Sequence, residues 1–217
     1  MASYDLIVFD WDGTLMDSTA VITLAVQNAC ADLGLPVPSE KEASHIIGLG
    51  LRDALTRVAP TLDPSDYPKM SARYIHHFHA NEESMPLFDG AKALLERLRA
   101  QDYLIAIATG KSRKGLDRAL EKTGIGPYFH ASRCADECHS KPHPEMLHEL
   151  MTQFNISPQR TLMIGDTTHD LQMAHNAQAH GLAVTYGAHP RHELQQLNPI
   201  GLIDDIKEFA PWLATRG

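Results

Sequence analysis

Two carboxylates stand two residues apart in Phe9-Asp10-Trp11-Asp12-Gly13-Thr14-Leu15, directly after the apolar run Leu6-Ile7-Val8-Phe9. The run reads as a buried parallel strand. Side chains at i and i+2 of an extended segment leave the same side of the backbone, so Asp10 and Asp12 can face one site. In open α/β sheets, ligands bind at the carboxyl ends of the strands. Gly13 allows a sharp turn and a close approach to a ligand. An ordinary strand end with an Asp-Gly turn carries the same letters, so the rest of the chain has to decide between them.

Three further segments place reactive residue types at comparable positions. Ile107-Ala108-Thr109-Gly110-Lys111-Ser112 ends an apolar run with a hydroxyl and a glycine, a turn that offers one side-chain donor and backbone N–H groups to an anion. A helix cap would use the same residues. Ser140-Lys141-Pro142-His143-Pro144-Glu145 holds a lysine on a stiff, Pro-flanked entry to a helix, where its ammonium can meet a phosphate or clustered carboxylates. Ile164-Gly165-Asp166-Thr167-Thr168-His169-Asp170 ends a third apolar run in two carboxylates, the hard oxygen donors that suit Mg²⁺. Asp170 alone also suits the N-terminus of a helix. Together, three strand ends supply Asp10, Asp12, Thr109 and Asp166, with Lys141 between the last two, an order hard to obtain by chance.

In these four motifs, DWDGTLMDS (10–18), ATG (108–110), SKPHPE (140–145) and GDTTHD (165–170), the chain resembles the haloacid dehalogenase-like hydrolases. It is most similar to their phosphatases with an all-helical cap inserted after the first strand. Gly48-Leu49-Gly50-Leu51-Arg52 and the overall size look most like phosphoglycolate phosphatases. The resemblance implies a Mg²⁺-dependent phosphatase acting on a small-molecule phosphate monoester, 2-phosphoglycolate or similar. It makes Asp10 the nucleophile that forms an aspartyl-phosphate, and Asp12 the acid and then the base. Thr109, Lys141 and the backbone N–H groups near Asp12, Gly13 and Gly110 would hold the phosphoryl oxygens. Mg²⁺ would be held by Asp10, the Asp12 backbone carbonyl, Asp166 and waters, with Asp170 beside them orienting Lys141 or a metal-bound water. An acid at Asp12 sets the chain apart from the dehalogenase branch, since a departing halide needs no proton. Two alternatives remain: a phosphomutase of the beta-phosphoglucomutase type, and a catalytically silent binding domain that keeps the fold.

The elements that must position these residues are legible in outline. β-type runs cover Leu6 to Phe9, Tyr103 to Ala108, Thr161 to Ile164 and Leu182 to Tyr186. Helical stripes run from Ala91 to Ala100, Gly115 to Lys122 and Pro144 to Phe154. This alternation predicts a Rossmann-like α/β fold, a parallel sheet with helices on both faces. From Asp17 to about Met85 only helical patterns occur: Ser18 to Leu33, a capping box at Ser39 and Glu42, Leu51 to Val58, and Ser65 to Ala80. The expected division is a core of 1–16 and 86–217 and a helical cap of 17–85. Pro86 to Gly90 is the return linker, and Gly48-Leu49-Gly50 a candidate specificity loop. Arg52 fits an exposed helix position as well as a substrate contact. His76-His77-Phe78-His79 reads as a solvated helix face.

Composition narrows the partners. The 217 residues are 43% hydrophobic and carry a formal net charge of −8, with a pI near 5.9. This argues against a broad surface for nucleic acid or an anionic membrane, while leaving room for a local cationic pocket. The apolar runs are too short to cross a bilayer. Met1-Ala2-Ser3-Tyr4-Asp5 lacks the basic and apolar regions of a secretory signal, and Cys30, Cys134 and Cys138 form no disulfide framework, so a cytoplasmic location is expected. Cys134 and Cys138 with His139 and His143 make a weak zinc spacing; a loop that happens to carry thiols is the simpler expectation. Monomer and dimer are both open.

Overall fold

In the computed structural model, residues 4–215 are described; Met1 to Ser3 of the N-terminal reading, and the last two residues of the core, lie outside them. Six parallel strands make one sheet: β1 (Leu6–Phe9), β2 (Leu104–Thr109), β3 (Ala131–Cys134), β4 (Thr161–Gly165), β5 (His180–Val184) and β6 (Gly201–Ile203), in the spatial order β3-β2-β1-β4-β5-β6. The sequence patterns miss β3 and β6. Both lie at the sheet's edges and are only partly buried, so neither carries a continuous apolar run. Cys134 therefore ends an edge strand instead of lying in a loop. β5 starts earlier than expected because the partners of β4 include His180 and Gly181, residues with no strand preference of their own.

Period-2 alternation explains why both faces are covered. Ile7 and Phe9 of β1, with Ile105 and Ile107 of β2, face one apolar layer; Leu6, Val8, Ala106 and Ala108 face the other. The first layer includes Leu94, Leu95 and Leu98 of α5 (Ala91–Ala100) and Leu116 of α6 (Arg113–Thr123). The second includes Met146, Leu147 and Leu150 of α7 (Glu145–Phe154) and Met173 of α8 (Thr168–Asn176). β1 is central. Phe9 pairs with Ile107 on one side and Ile164 on the other, so the chain leaves all three strands at one level. The strand order changes direction beside β1, where ligand sites form.

Between β1 and α5 the chain is helical: α1 (Thr19–Asp32), α2 (Glu40–Ser44), α3 (Leu51–Val58) and α4 (Tyr67–Ala80), which is preceded by a single 3-10 turn at Pro64–Asp66. Ser39 and Glu42 form the expected capping box at α2. These helices bury small apolar clusters of their own, around Val26, Ile46 and Leu49 and around Cys30, Leu55 and Met70. The outgoing and returning strands pair. Asp17 N donates to Pro86 O and Phe88 N to Leu15 O, at 2.9 and 3.0 Å. The histidine run on α4 is less solvated than its letters suggest, since Phe78 is buried and His77 binds Asp32.

The helical insert rests on the sheet's carboxyl edge through backbone contacts. The His45 carbonyl accepts from both His169 Nε2 and His189 Nε2, at 3.0 and 3.1 Å. His189 Nδ1 accepts from the Thr168 N–H, so its proton lies on Nε2, facing His45. Gly50 N donates to Ser140 Oγ at 2.8 Å. Gly110 permits the closest approach, since a Cβ there would stand 2.5 Å from the Leu49 carbonyl oxygen and 2.6 Å from that of Gly48. Backbone cannot yield as a flexible side chain can. Gly110→Ala is therefore expected to push the 48–50 loop off the core and to cost about 1–3 kcal/mol in chemical denaturation. Amide exchange should rise at 48–50 first, and unchanged protection there would refute the contact's importance.

Candidate active site

The aligned strand ends deliver Asp10 after β1, Thr109 at the end of β2 and Asp166 after β4, all buried. Lys141 enters from the segment before α7, across a cis bond to Pro142, and is also buried. Its Nζ lies 2.6 Å from Asp10 Oδ1 and 2.7 Å from Asp170 Oδ1. Asp170 Oδ2 accepts from Thr167 N and Thr167 Oγ1 at 3.1 and 2.6 Å, within a capping box that opens α8. Both Asp170 oxygens are thus engaged, and the residue fixes Lys141 in place. Asp166 accepts from Thr14 Oγ1 at 2.8 Å and from the Ala188 N–H at 2.7 Å. Gly13, at φ +82°, packs against the Asp166 carboxylate where no side chain fits.

The electrostatics of this cluster are unbalanced. Asp10, Asp166 and Asp170 bring oxygens within 4.8 Å of one another and could hold a metal ion. Among the described residues, Lys141 is the one cation that pairs with them. Burial, and repulsion from Asp170 and Asp166, raise Asp10 well above the carboxylate range despite the pull of Lys141. Burial and Asp170 push Asp166 up to about 7, against the opposing hydrogen bonds from Ala188 and Thr14. Burial alone would lower Lys141, but Asp10 and Asp170 outweigh it and hold the ammonium above its ordinary range. Asp10 Oδ2 is buried without a hydrogen-bond partner. A divalent cation would complete that orphan atom and match the remaining charge, with the all-oxygen donor set that such ions take. The residues present fit one.

Asp12 faces a different environment. Its oxygens lie 2.9 and 3.0 Å from Lys111 Nζ, and Oδ1 also accepts from Ser18 Oγ at 2.7 Å. Lys111 in turn sits 4.8 Å from the Phe78 ring centroid. Among the described residues, the Asp12 and Gly110 N–H groups have no acceptor within the protein, and the Thr109 hydroxyl only accepts, from Lys111 N at 3.2 Å. These donors can serve an external anion. The Gly13 N–H cannot, because it donates to Met16 O at 2.8 Å. The expected phosphoryl contact from Gly13 is corrected accordingly: the turn consumes its donor, and the residue contributes by lacking a side chain.

Sequence reading missed Lys111, Thr14, Thr167 and Ser18. Lys111 was visible two residues after Thr109, but only the tertiary fold brings it to Asp12. Arg52 is exposed, as one of its two readings had it. Cys134 and Cys138 belong to none of the metal-binding groups among the described residues; burial raises their thiols to about 12 and about 11. No helix of the described residues is long and apolar enough to cross a membrane.

Comparisons with known proteins bear on the whole chain. A family model described as "Haloacid dehalogenase-like hydrolase" matches residues 7–184. A curated protein of Dickeya dadantii named "Probable phosphatase IndB" is 33% identical, across 94% of this chain and 90% of its own. A phosphoglycolate phosphatase of Aliivibrio fischeri is 31% identical, across 93% of each chain. A crystal structure described as a "predicted phosphoglycolate phosphatase" from Haemophilus somnus 129PT superposes with a TM-score of 0.84 at 28% identity, covering 97% of this chain and 98% of that one.

The charge imbalance has a pH signature. Asp166 unfolded ionises near 3.8 and folded near 7, so the metal-free folded state loses stability as pH rises between these values. A bound divalent cation removes that loss. The increase in Tm on adding Mg²⁺ should be roughly 5 °C or more at pH 8 and near zero at pH 5. Differential scanning fluorimetry at the two pH values measures it, and an increase independent of pH would contradict this electrostatic account. Lys141→Met should cost about 3–5 kcal/mol in the metal-free protein, because it strands Asp10 and Asp170 without a cation; a loss under 1 kcal/mol in urea denaturation would contradict the charge pairing.

Proposed function

The chain belongs to the haloacid dehalogenase-like hydrolases, and we propose that within them it is a Mg²⁺-dependent phosphatase of a small phosphate monoester, working through an aspartyl-phosphate on Asp10. The observation that carries this reading is the buried, unpartnered Oδ2 of Asp10, beside an ammonium and two further carboxylates. The names of the relatives make 2-phosphoglycolate the first ester to try.

Asp10, the Asp12 backbone carbonyl and Asp166 would hold Mg²⁺, with Asp170 adjoining them through Lys141. Bound there, the ion neutralises charge shared between carboxylates and phosphate and polarises a phosphoryl oxygen. Lys141 fixes the Asp10 carboxylate through Oδ1 and leaves Oδ2 open. A carboxylate oxygen of Asp10 attacks phosphorus, and the bond from phosphorus to the leaving oxygen breaks. Asp12 gives that oxygen its proton. For this the contact between Asp12 and Lys111 must loosen. Asp12 then takes a proton from water as the water attacks phosphorus, which frees Asp10 and inorganic phosphate. Thr109 and the N–H groups of Asp12 and Gly110 hold the phosphoryl oxygens as charge develops. The helical cap over the sheet edge limits competing water during the first step.

Phosphate release across a panel of small esters, with Mg²⁺ and with EDTA, tests the reading. Mg²⁺-dependent release is expected. Asp10→Asn should fall to background, and Asp12→Asn should lose about 10²–10⁴ in kcat. Turnover by Asp10→Asn at the parent rate would overturn the covalent step. Transfer that needs a bisphosphate activator would mean a mutase.

A further inference from the structure

A cavity of about 300 Å³ opens from Asp12 between the cap and the core. Asp10 does not line it. The phosphoryl group belongs on Asp10, so the group that Asp12 protonates extends into this cavity. This inference rests on the phosphatase reading and narrows its substrate.

The walls differ in character. The cap side is apolar, with Ile22, Val26, Ile46, Leu55 and Phe78. Tyr74, stacked on Phe78 at 5.9 Å, also lines the cavity; burial first, and then the Asp12 charge, raise its hydroxyl above the ordinary range. The core side is cationic. Lys111 stands at the floor, and Lys114 and Arg118 follow one turn apart on α6, with His79 facing them from α4. Burial and the positive field of Arg118, Lys111 and Lys114 lower His79, with Glu82 opposing. Among the described residues Lys114 has no ion-pair partner and is exposed. Arg118 Nε lies 3.4 Å from Glu82 Oε1 yet makes no hydrogen bond. Asp12 is the only acidic side chain among the lining residues.

Size adds a second constraint. At about 30 Å³ for each water-sized group, the cavity holds roughly ten such groups, and a glycolate leaving group fills about half of it. Pockets with apolar walls and a few polar tips take ligands of matching composition. We propose that the leaving group pairs an apolar or ring-shaped body, laid along the cap wall, with an anionic end held by Lys114 and Arg118. The preferred substrate is then a larger relative of phosphoglycolate, with a phosphate at one end and a carboxylate or similar anion beyond a hydrophobic spacer.

Three esters of primary alcohols separate the contributions: 2-phosphoglycolate, benzyl phosphate and 4-carboxybenzyl phosphate, each assayed for phosphate release with Mg²⁺. The expected kcat/KM is highest for 4-carboxybenzyl phosphate, about tenfold or more above each of the others. In Lys114→Glu, a surface change that does not touch the core, the ratio of 4-carboxybenzyl to benzyl phosphate should fall about tenfold. Equal or better turnover of 2-phosphoglycolate, or an unchanged ratio in the variant, overturns this inference and leaves the phosphatase reading standing. No phosphate from any of the three, with a folded protein, overturns the phosphatase reading and this inference with it.

Discussion

The burial of Lys141 between Asp10 and Asp170 is the constraint on which the rest of the site depends. Three carboxylates withdrawn from water would repel one another strongly, and one ammonium offsets only part of that charge. The residual negative charge is what would draw a cation to the cluster. It also requires that every other oxygen be held by a fixed donor. Thr14, Ala188 and Thr167 supply those donors, and the atom left over, Asp10 Oδ2, is the one that the proposed chemistry uses.

The fold meets this constraint with backbone more than with side chains. The parallel register around β1 brings three strand ends to one level, so Asp10, Thr109 and Asp166 converge without long side chains. The turns that follow are tight because Gly13 and Gly110 carry no Cβ. Gly13 gives room to the Asp166 carboxylate, and Gly110 to the backbone of the cap loop at Gly48 and Leu49. The sheet and the helical insert meet at hydrogen bonds such as those to the shared His45 carbonyl, and in an apolar cluster where Ile22, Ala25, Ile47 and Phe78 join Ile7 and Phe9.

Asp10 and Asp12 are two residues apart in the chain, yet their surroundings diverge. Asp10 is shut in with other carboxylates and a buried lysine. Asp12 faces the cavity, where Lys111 and Ser18 hold it beside the apolar cap wall. In the proposed reaction these two identical side chains would take two tasks, one to attack phosphorus and one to exchange a proton with the leaving group. Lys111 would link Asp12 to recognition, since it touches Asp12 and also lines the cavity that the leaving group would fill.

The sequence by itself determined the family, the parallel α/β architecture, the helical stretch between β1 and α5, and the place of Asp10, Thr109 and Asp166 at strand ends. Short-range physics suffices for these: apolar runs mark buried strands, glycines mark tight turns, and a strand's end fixes where its next residue points. The edge strands β3 and β6 left no apolar run, because a strand half covered by solvent need not be apolar. Tertiary structure alone decided which donors are free, since only the closed turn shows that Gly13 spends its N–H on Met16 O. It alone brought Lys111 onto Asp12, and set the cap's apolar wall opposite Lys114 and Arg118. Those pairings join residues far apart in the chain, and their distances depend on how two packed bodies meet, which no local pattern encodes.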